Sequence, residues 1–172
     1  MRKIKRFVKK LAIPFIWIKN YFLCLKYPFL KSRNVWTDKF LGYGDTWYEW
    51  IPDGWRKAFG KQLIRDLRKA LKQDGILKDF RFHQIKEKYG TLRLYSNFVG
   101  PESKKVINKY EGMSQDYCIC CGKPAEYETR GWIEFLCKDC FDLEVPKTMP
   151  EEERKEYYEM CKIKEEEKEE EE

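Results

Sequence analysis

A single histidine, His83, serves all 172 residues. Without a second there is no His-x-x-x-His pair for a zinc protease, and neither a Gly-x-Ser-x-Gly elbow nor a glycine-rich phosphate loop occurs. Motif-borne hydrolase and nucleotide-binding chemistry is therefore not written in this chain. A long apolar run is also missing. Lys19 and Asn20 interrupt the stretch that begins at Leu11, and a lysine at the middle of a membrane span costs about 2.5 to 3.5 kcal/mol. An export signal is not legible either, because Lys19-Asn20-Tyr21 stands where the small residues of a cleavage site belong. Tryptophan is scarce in the second part: of six, only Trp132 lies beyond residue 60.

Aromatic residues make up 16% of the chain, enough to build one core of ordinary size from few, large side chains. The net charge of +6 conceals a division. Residues 151–172 hold 12 acidic and 5 basic side chains, which leaves 17 acidic and 30 basic in residues 1–150. A basic body suits phosphate or an anionic membrane surface, and an acidic tail can screen that body or keep it soluble.

Seven cysteines are present, and four of them form two Cys-x-x-Cys pairs, Cys118 with Cys121 and Cys137 with Cys140, fifteen residues apart. This is zinc-ribbon spacing. Each pair can turn both sulfurs to one side of a tight knuckle, and Gly122 offers the positive φ that folds the first knuckle back over a metal. Four thiolates close a tetrahedral shell around zinc, which makes the expected role structural. A disulfide framework fits less well with an odd cysteine count and no export signal. Iron in a rubredoxin-like site uses the same ligands, and spacing does not separate it from zinc. Cys120, inside the first knuckle, reads as a bystander.

Taken in order, residues 1–21 read as a basic amphipathic extension, with Met1, Ile4, Phe7, Val8 and Leu11 on one face and six lysines and arginines on the other. Such a segment packs on the domain or lies in a membrane interface, with Phe15 and Trp17 as its apolar edge. Residues 26–52 are rich in aromatics, glycine and proline and read as ordered loop wrapping a core. Asp53 reads as an N-cap, followed by Trp55, Phe59, Leu63, Leu67 and Leu71 at spacing four until Asp74-Gly75. Phe80, Phe82 and Ile85 on one arm and Leu92, Leu94 and Tyr95 on the other predict a β-hairpin turning at Lys88-Tyr89-Gly90. His83, alone on its strand, reads as structural, packed inward or isolated on a flat face. Pro101 opens a shorter helix through Met113. Residues 143–172 read as an acidic tail, partly helical and then disordered by its own repulsion.

Several strings, YPFLKSRNVWT, IPDGWRKAFG, QIKEKYGTLRLY, INKYEGMS and the Cys-x-x-Cys-Gly-x-Pro-Ala block with its following Gly-Trp and Cys-x-x-Cys, resemble a family of small proteins encoded by bacteriophages and prophages, many in Firmicutes. The resemblance spans about residues 22–142. It implies a phage or prophage origin and a metal site at Cys118, Cys121, Cys137 and Cys140, and it implies no activity. The basic start and the long acidic end depart from the family's usual pattern.

The expected fold is α+β: residues 22–117 form a core in which an amphipathic helix packs on an antiparallel hairpin or small sheet, and residues 118–142 append a four-cysteine zinc ribbon. The expected function is that of a non-enzymatic binding or regulatory factor in the bacterial cytoplasm, docking a host or phage protein, with peripheral membrane association through residues 1–18 open to it. Nucleic-acid binding by the basic body is the alternative. An enzyme or ligand-sequestering counter-defence protein acting on a nucleotide would need His83 to meet Asp45, Glu49 or Glu87, and a cysteine nucleophile would have to come from Cys24 or Cys161.

Overall fold

The computed structural model describes residues 15–146 and 148–163; the amphipathic pattern of residues 1–11 and the terminal glutamate run lie outside them. The described residues are α+β, with two small antiparallel sheets. Helix α1 covers residues 15–26. A loop with a 3-10 turn at Pro28–Leu30 leads to α2, a continuous helix made of Asp53–Trp55, a π turn at Arg56–Gly60, and Lys61–Gln73. Strands β1 (Phe82–Lys88) and β2 (Thr91–Ser96) form the hairpin, and α3 runs over Pro101–Met113. The cysteine module then adds β3 (Tyr127–Glu128), β4 (Phe135–Leu136) and α4 (Lys138–Glu144), and α5 (Glu151–Cys161) follows.

The spacing-four stripe of α2 is buried throughout: Trp55, Phe59, Leu63, Leu67 and Leu71 all lie in the core. A strict step of four drifts about 40° per step on a 3.6-residue helix. The wider π turn over Arg56–Gly60 takes back part of that drift, so Trp55 and Phe59 stay in line with the leucines. Each of these leucines contributes about 1.5 to 3 kcal/mol of burial. They share one core with Phe29, Trp47, Phe80, Phe82, Ile85, Leu92 and Tyr110.

The hairpin holds a β-bulge between Phe82 and Gln84. Because the bulge inserts one extra residue, Phe82 and Ile85 face the same way although they are three apart, and both are buried. On the second arm Leu92 and Leu94 are buried, while Tyr95, next to Leu94 and on the opposite face, is 40% exposed. The outer edge of β2 is covered by side chains from the end of α3. Leu92 donates its amide to the Ser114 hydroxyl at 2.9 Å, and Leu94 donates to the Glu111 carboxylate at 2.7 Å. Helix α3 is itself started from a distance. Gly100 has no side chain to cap it, and the Asp74 carboxylate, at the end of α2, accepts from Glu102 N at 3.0 Å and Ser103 N at 2.8 Å.

Asp53 is not the cap of α2. It occupies the first helical position and pairs with Arg56, and Pro52 precedes it. The orphan amide of the first turn, that of Gly54, is instead satisfied by the carbonyl of Ile119, from the cysteine module, at 2.8 Å.

The second core lies under that module. Tyr127, Leu136, Phe141 and Val145 are buried in it together with Cys161, and Tyr157 and Tyr158 of α5 pack against them. Phe141 stacks between Tyr127 (centroids 4.5 Å) and Tyr157 (5.7 Å). Ile163 donates to Glu126 at 2.9 Å, extending the small sheet beside β3. Residues 151–163, acidic in composition, thus supply one wall of the cysteine module.

Candidate metal centre and the clefts around it

Cys118, Cys121, Cys137 and Cys140 bring their sulfurs within 4.8 Å of one another. A tetrahedral ion with metal–sulfur bonds of about 2.3 Å needs sulfurs about 3.8 Å apart, and Cys121 and Cys137 stand at 3.5 Å. That separation is far beyond a disulfide bond of about 2.05 Å, and all seven cysteines are free. The set can hold a metal ion. Its first knuckle is closed by Cys118 N donating to Lys123 at 2.8 Å and Gly122 N donating to Cys118 at 2.9 Å. Burial raises the Cys118 thiol, but the amides of Cys137, Cys121 and Cys120 outweigh that and bring it down to about 7. Burial raises Cys137 and, together with hydrogen bonds to the other three thiols, Cys140, so that Cys118 is the member of the set that most readily becomes a thiolate. Cys120 is exposed and outside the four-sulfur group.

The knuckle is set directly on the backbone of α2. Gly122 sits at φ +84°, and a Cβ there would stand 2.5 Å from the carbonyl oxygen of Gly54. A Cβ on Gly54 would stand 2.1 Å from the carbonyl of Cys118 and 2.4 Å from that of Ile119. Trp55 completes the joint by donating its indole N–H to Tyr117 at 3.0 Å. No side chain larger than hydrogen fits between helix and knuckle at either glycine without movement.

His83 is neither packed inward nor alone on a flat face. As the bulged residue it is exposed and lines a cleft of about 280 Å³ with Arg33, Arg81, Asp38, Asp79 and Asn97. None of the three carboxylates named from sequence reaches it. Asp45 accepts from the Trp50 indole at 2.6 Å, Glu49 from Thr46 N at 3.0 Å, and Glu87 from Gly90 N at 2.6 Å. Cys24 and Cys161 are both buried, and burial pushes the Cys24 thiol up to about 11, so neither is a nucleophile facing that cleft.

A second cleft, of about 380 Å³, opens between the hairpin tip and the loop joining β3 to β4, with Lys86, Lys88 and Tyr89 on one wall and Trp132 and Ile133 on the other. Tyr89 is 71% exposed and Trp132 75%. Tyr89 and Gly90 both have positive φ, 52° and 73°, the geometry of a two-residue hairpin turn that favours asparagine or glycine at the first place. A tyrosine there is strained by roughly 1 kcal/mol or more. Sequence alone marked Lys88-Tyr89-Gly90 only as a turn; the available signal was an aromatic ring in a position that disfavours it. The chain matches no protein-family model, no curated protein and no solved structure with which it was compared.

Proposed function

We propose that the chain is a non-enzymatic zinc-ribbon protein of phage or prophage origin that docks a host or phage protein in the cleft between its hairpin tip and its ribbon. The observation that carries this reading is the exposed pair Tyr89 and Trp132 on opposite walls of one cleft, the first held at a strained backbone position. Exposed aromatics framed by a polar rim are the usual anchors of protein interfaces. Zinc serves the site by fixing its second wall, because Trp132 lies on the loop between the two cysteine pairs. With four thiolates as ligands the ion keeps no open position for substrate, which supports a structural role. Iron takes the same ligands, and elemental analysis of purified protein separates the two, with one equivalent of zinc per chain expected.

The test is a comparison of baits in lysate of a bacterial host. Wild-type protein should retain a stoichiometric partner that Trp132→Ser and Tyr89→Asn both lose. Recovery of no such partner at any salt, or equal recovery by all three baits, rejects the reading.

Lys86 and Lys88 beside the two rings favour a second reading, single-stranded nucleic acid stacked in the same cleft. Its mark is a salt slope of roughly −0.7 per phosphate contacted. Removal of an acidic tail as competitor must begin after Ile163, since residues 151–163 are packed into the ribbon. A flat salt response rejects this second reading.

A further inference from the structure

Helix α1 uses only one of its faces. Asn20 is fully buried and gives its amide to the carbonyl of Tyr43 at 3.0 Å and to Glu49 at 3.4 Å. Cys24 is buried beside it, and Trp17 lies over Gly42 and Gly44 and meets the Tyr43 ring edge-on at 6.4 Å. These contacts clamp α1 to the aromatic loop. On the other side Phe15 is 80% exposed, and Ile18, Phe22 and Leu25 are each more than half exposed. At 100° per residue the four fall within an arc of about 80°. They make one apolar stripe along three turns, facing solvent.

What the stripe fits is decided by the charges around it. Exposed Lys19 and Lys26 border it on one side, and residues 2–10, immediately upstream, contain six lysines and arginines and no acid. An apolar stripe edged with cations complements a surface that is anionic outside and hydrocarbon beneath. A second copy of the chain would bring like charges together, and a polyanion would leave Phe15 and Phe22 in water. Crossing the bilayer is incompatible with the clamp at Asn20, and among the described residues no helix is long and apolar enough to cross a membrane.

We propose that α1 is an interfacial anchor for an anionic lipid bilayer, lying in the membrane plane with Phe15, Ile18, Phe22 and Leu25 immersed and Lys19 and Lys26 among the headgroup phosphates. The clamp through Asn20 and Trp17 keeps the stripe turned outward while the body stays in water. This surface is separate from the cleft at Tyr89 and Trp132 and stands independently of it.

The full chain is sedimented with vesicles of phosphatidylcholine alone and of phosphatidylcholine mixed with phosphatidylglycerol. It should pellet with the mixed vesicles, less so as salt rises, and stay in solution with the neutral ones. The double variant Phe15→Ser, Phe22→Ser should partition at least about tenfold more weakly, since each ring loses its burial in the acyl region. Both rings are exposed, so an unchanged melting temperature is expected and is measured alongside. Lys19→Glu with Lys26→Glu leaves the stripe intact and should lower binding to the mixed vesicles as well. The proposal is overturned if wild type ignores the anionic vesicles, or if the serine variant binds them equally. It is also overturned if light scattering finds a dimer that the serine variant dissociates while vesicle binding is absent, or if the same substitutions abolish oligonucleotide binding instead.

Discussion

The amide of Gly54 donates to the carbonyl of Ile119 at 2.8 Å, so α2 is finished at its start by the knuckle that carries Cys118 and Cys121. The four-cysteine cluster and the main core are therefore not two bodies joined by a tether. Whatever fixes the knuckle also satisfies a donor that the helix would otherwise leave open.

Gly54→Ala should force the knuckle off the helix, since its Cβ would fall 2.1 Å from the Cys118 carbonyl. A loss of about 3 kcal/mol or more is expected in denaturant unfolding, with weaker metal retention. Gly112→Ala, inside α3 with nothing within 4 Å of the new methyl, should stabilise by up to about 1 kcal/mol. If both substitutions cost the same, the tight joint is not what holds Gly54.

Removing the metal should loosen more than the loop between the cysteine pairs. Structural zinc in small modules contributes apparent binding energies of about 10 to 16 kcal/mol, and α5 is stacked on the same core through Tyr157 and Tyr158. Hydrogen exchange after chelation should therefore rise from Cys118 through Cys161, with Leu63 to Leu71 of α2 much less affected. Protection of α5 unchanged by chelation would contradict this.

Tyr110 is buried and gives its hydroxyl to Asp66 at 2.6 Å, tying α3 to α2. Burial, followed by the hydrogen bond to Asp66 and its charge, holds the phenol well above its ordinary range, so it stays protonated at any working pH. Tyr110→Phe should cost about 1 kcal/mol, measured by urea unfolding.

Asp74 starts α3, and its carboxyl is depressed. Desolvation works to raise it but is outweighed by hydrogen bonds from the Ser103 hydroxyl and the amides of Ser103 and Glu102. An acid depressed in the folded state adds stability above its unfolded value and loses it as pH falls through the folded one. Asp74→Ala should thus lower the melting temperature at neutral pH, and the gap to wild type should close below about pH 4. A gap that persists into stronger acid would assign Asp74 a role other than that of an ionised cap.

The sequence carried the local part of this architecture well. Five apolar residues at spacing four were enough to mark α2, and two cysteine pairs were enough to mark where four sulfurs meet. What was not legible depends on contacts between distant segments. Asp53 has the right residue type for a cap, yet the partner of the first turn comes from Ile119, and the neighbouring Trp55 reaches Tyr117, 62 residues away. Composition also obscured α5: its glutamates set the tone of residues 151–163, and the two tyrosines that pack on Phe141, Tyr157 face to face and Tyr158 edge-on, were outnumbered. His83 reads as structural because it stands alone on its strand, and the bulge that puts it in a cleft with Arg33, Asp38 and Asp79 depends on how β1 pairs with β2.

That bulge bears on how copies of the chain avoid one another. Strand β2 has its outer amides taken by Ser114 and Glu111, whereas among the described residues β1 makes backbone ladder bonds to β2 alone. An open strand edge invites a neighbour's strand to add on and begin a fibre. The kink at His83 breaks the straight run such a strand would have to follow, and exposed Lys86 and Lys88 repel an identical edge brought alongside. Sheet growth is thus opposed on one side by side-chain caps and on the other by shape and charge, and the bulge at His83 serves that end whether or not the imidazole does any chemistry.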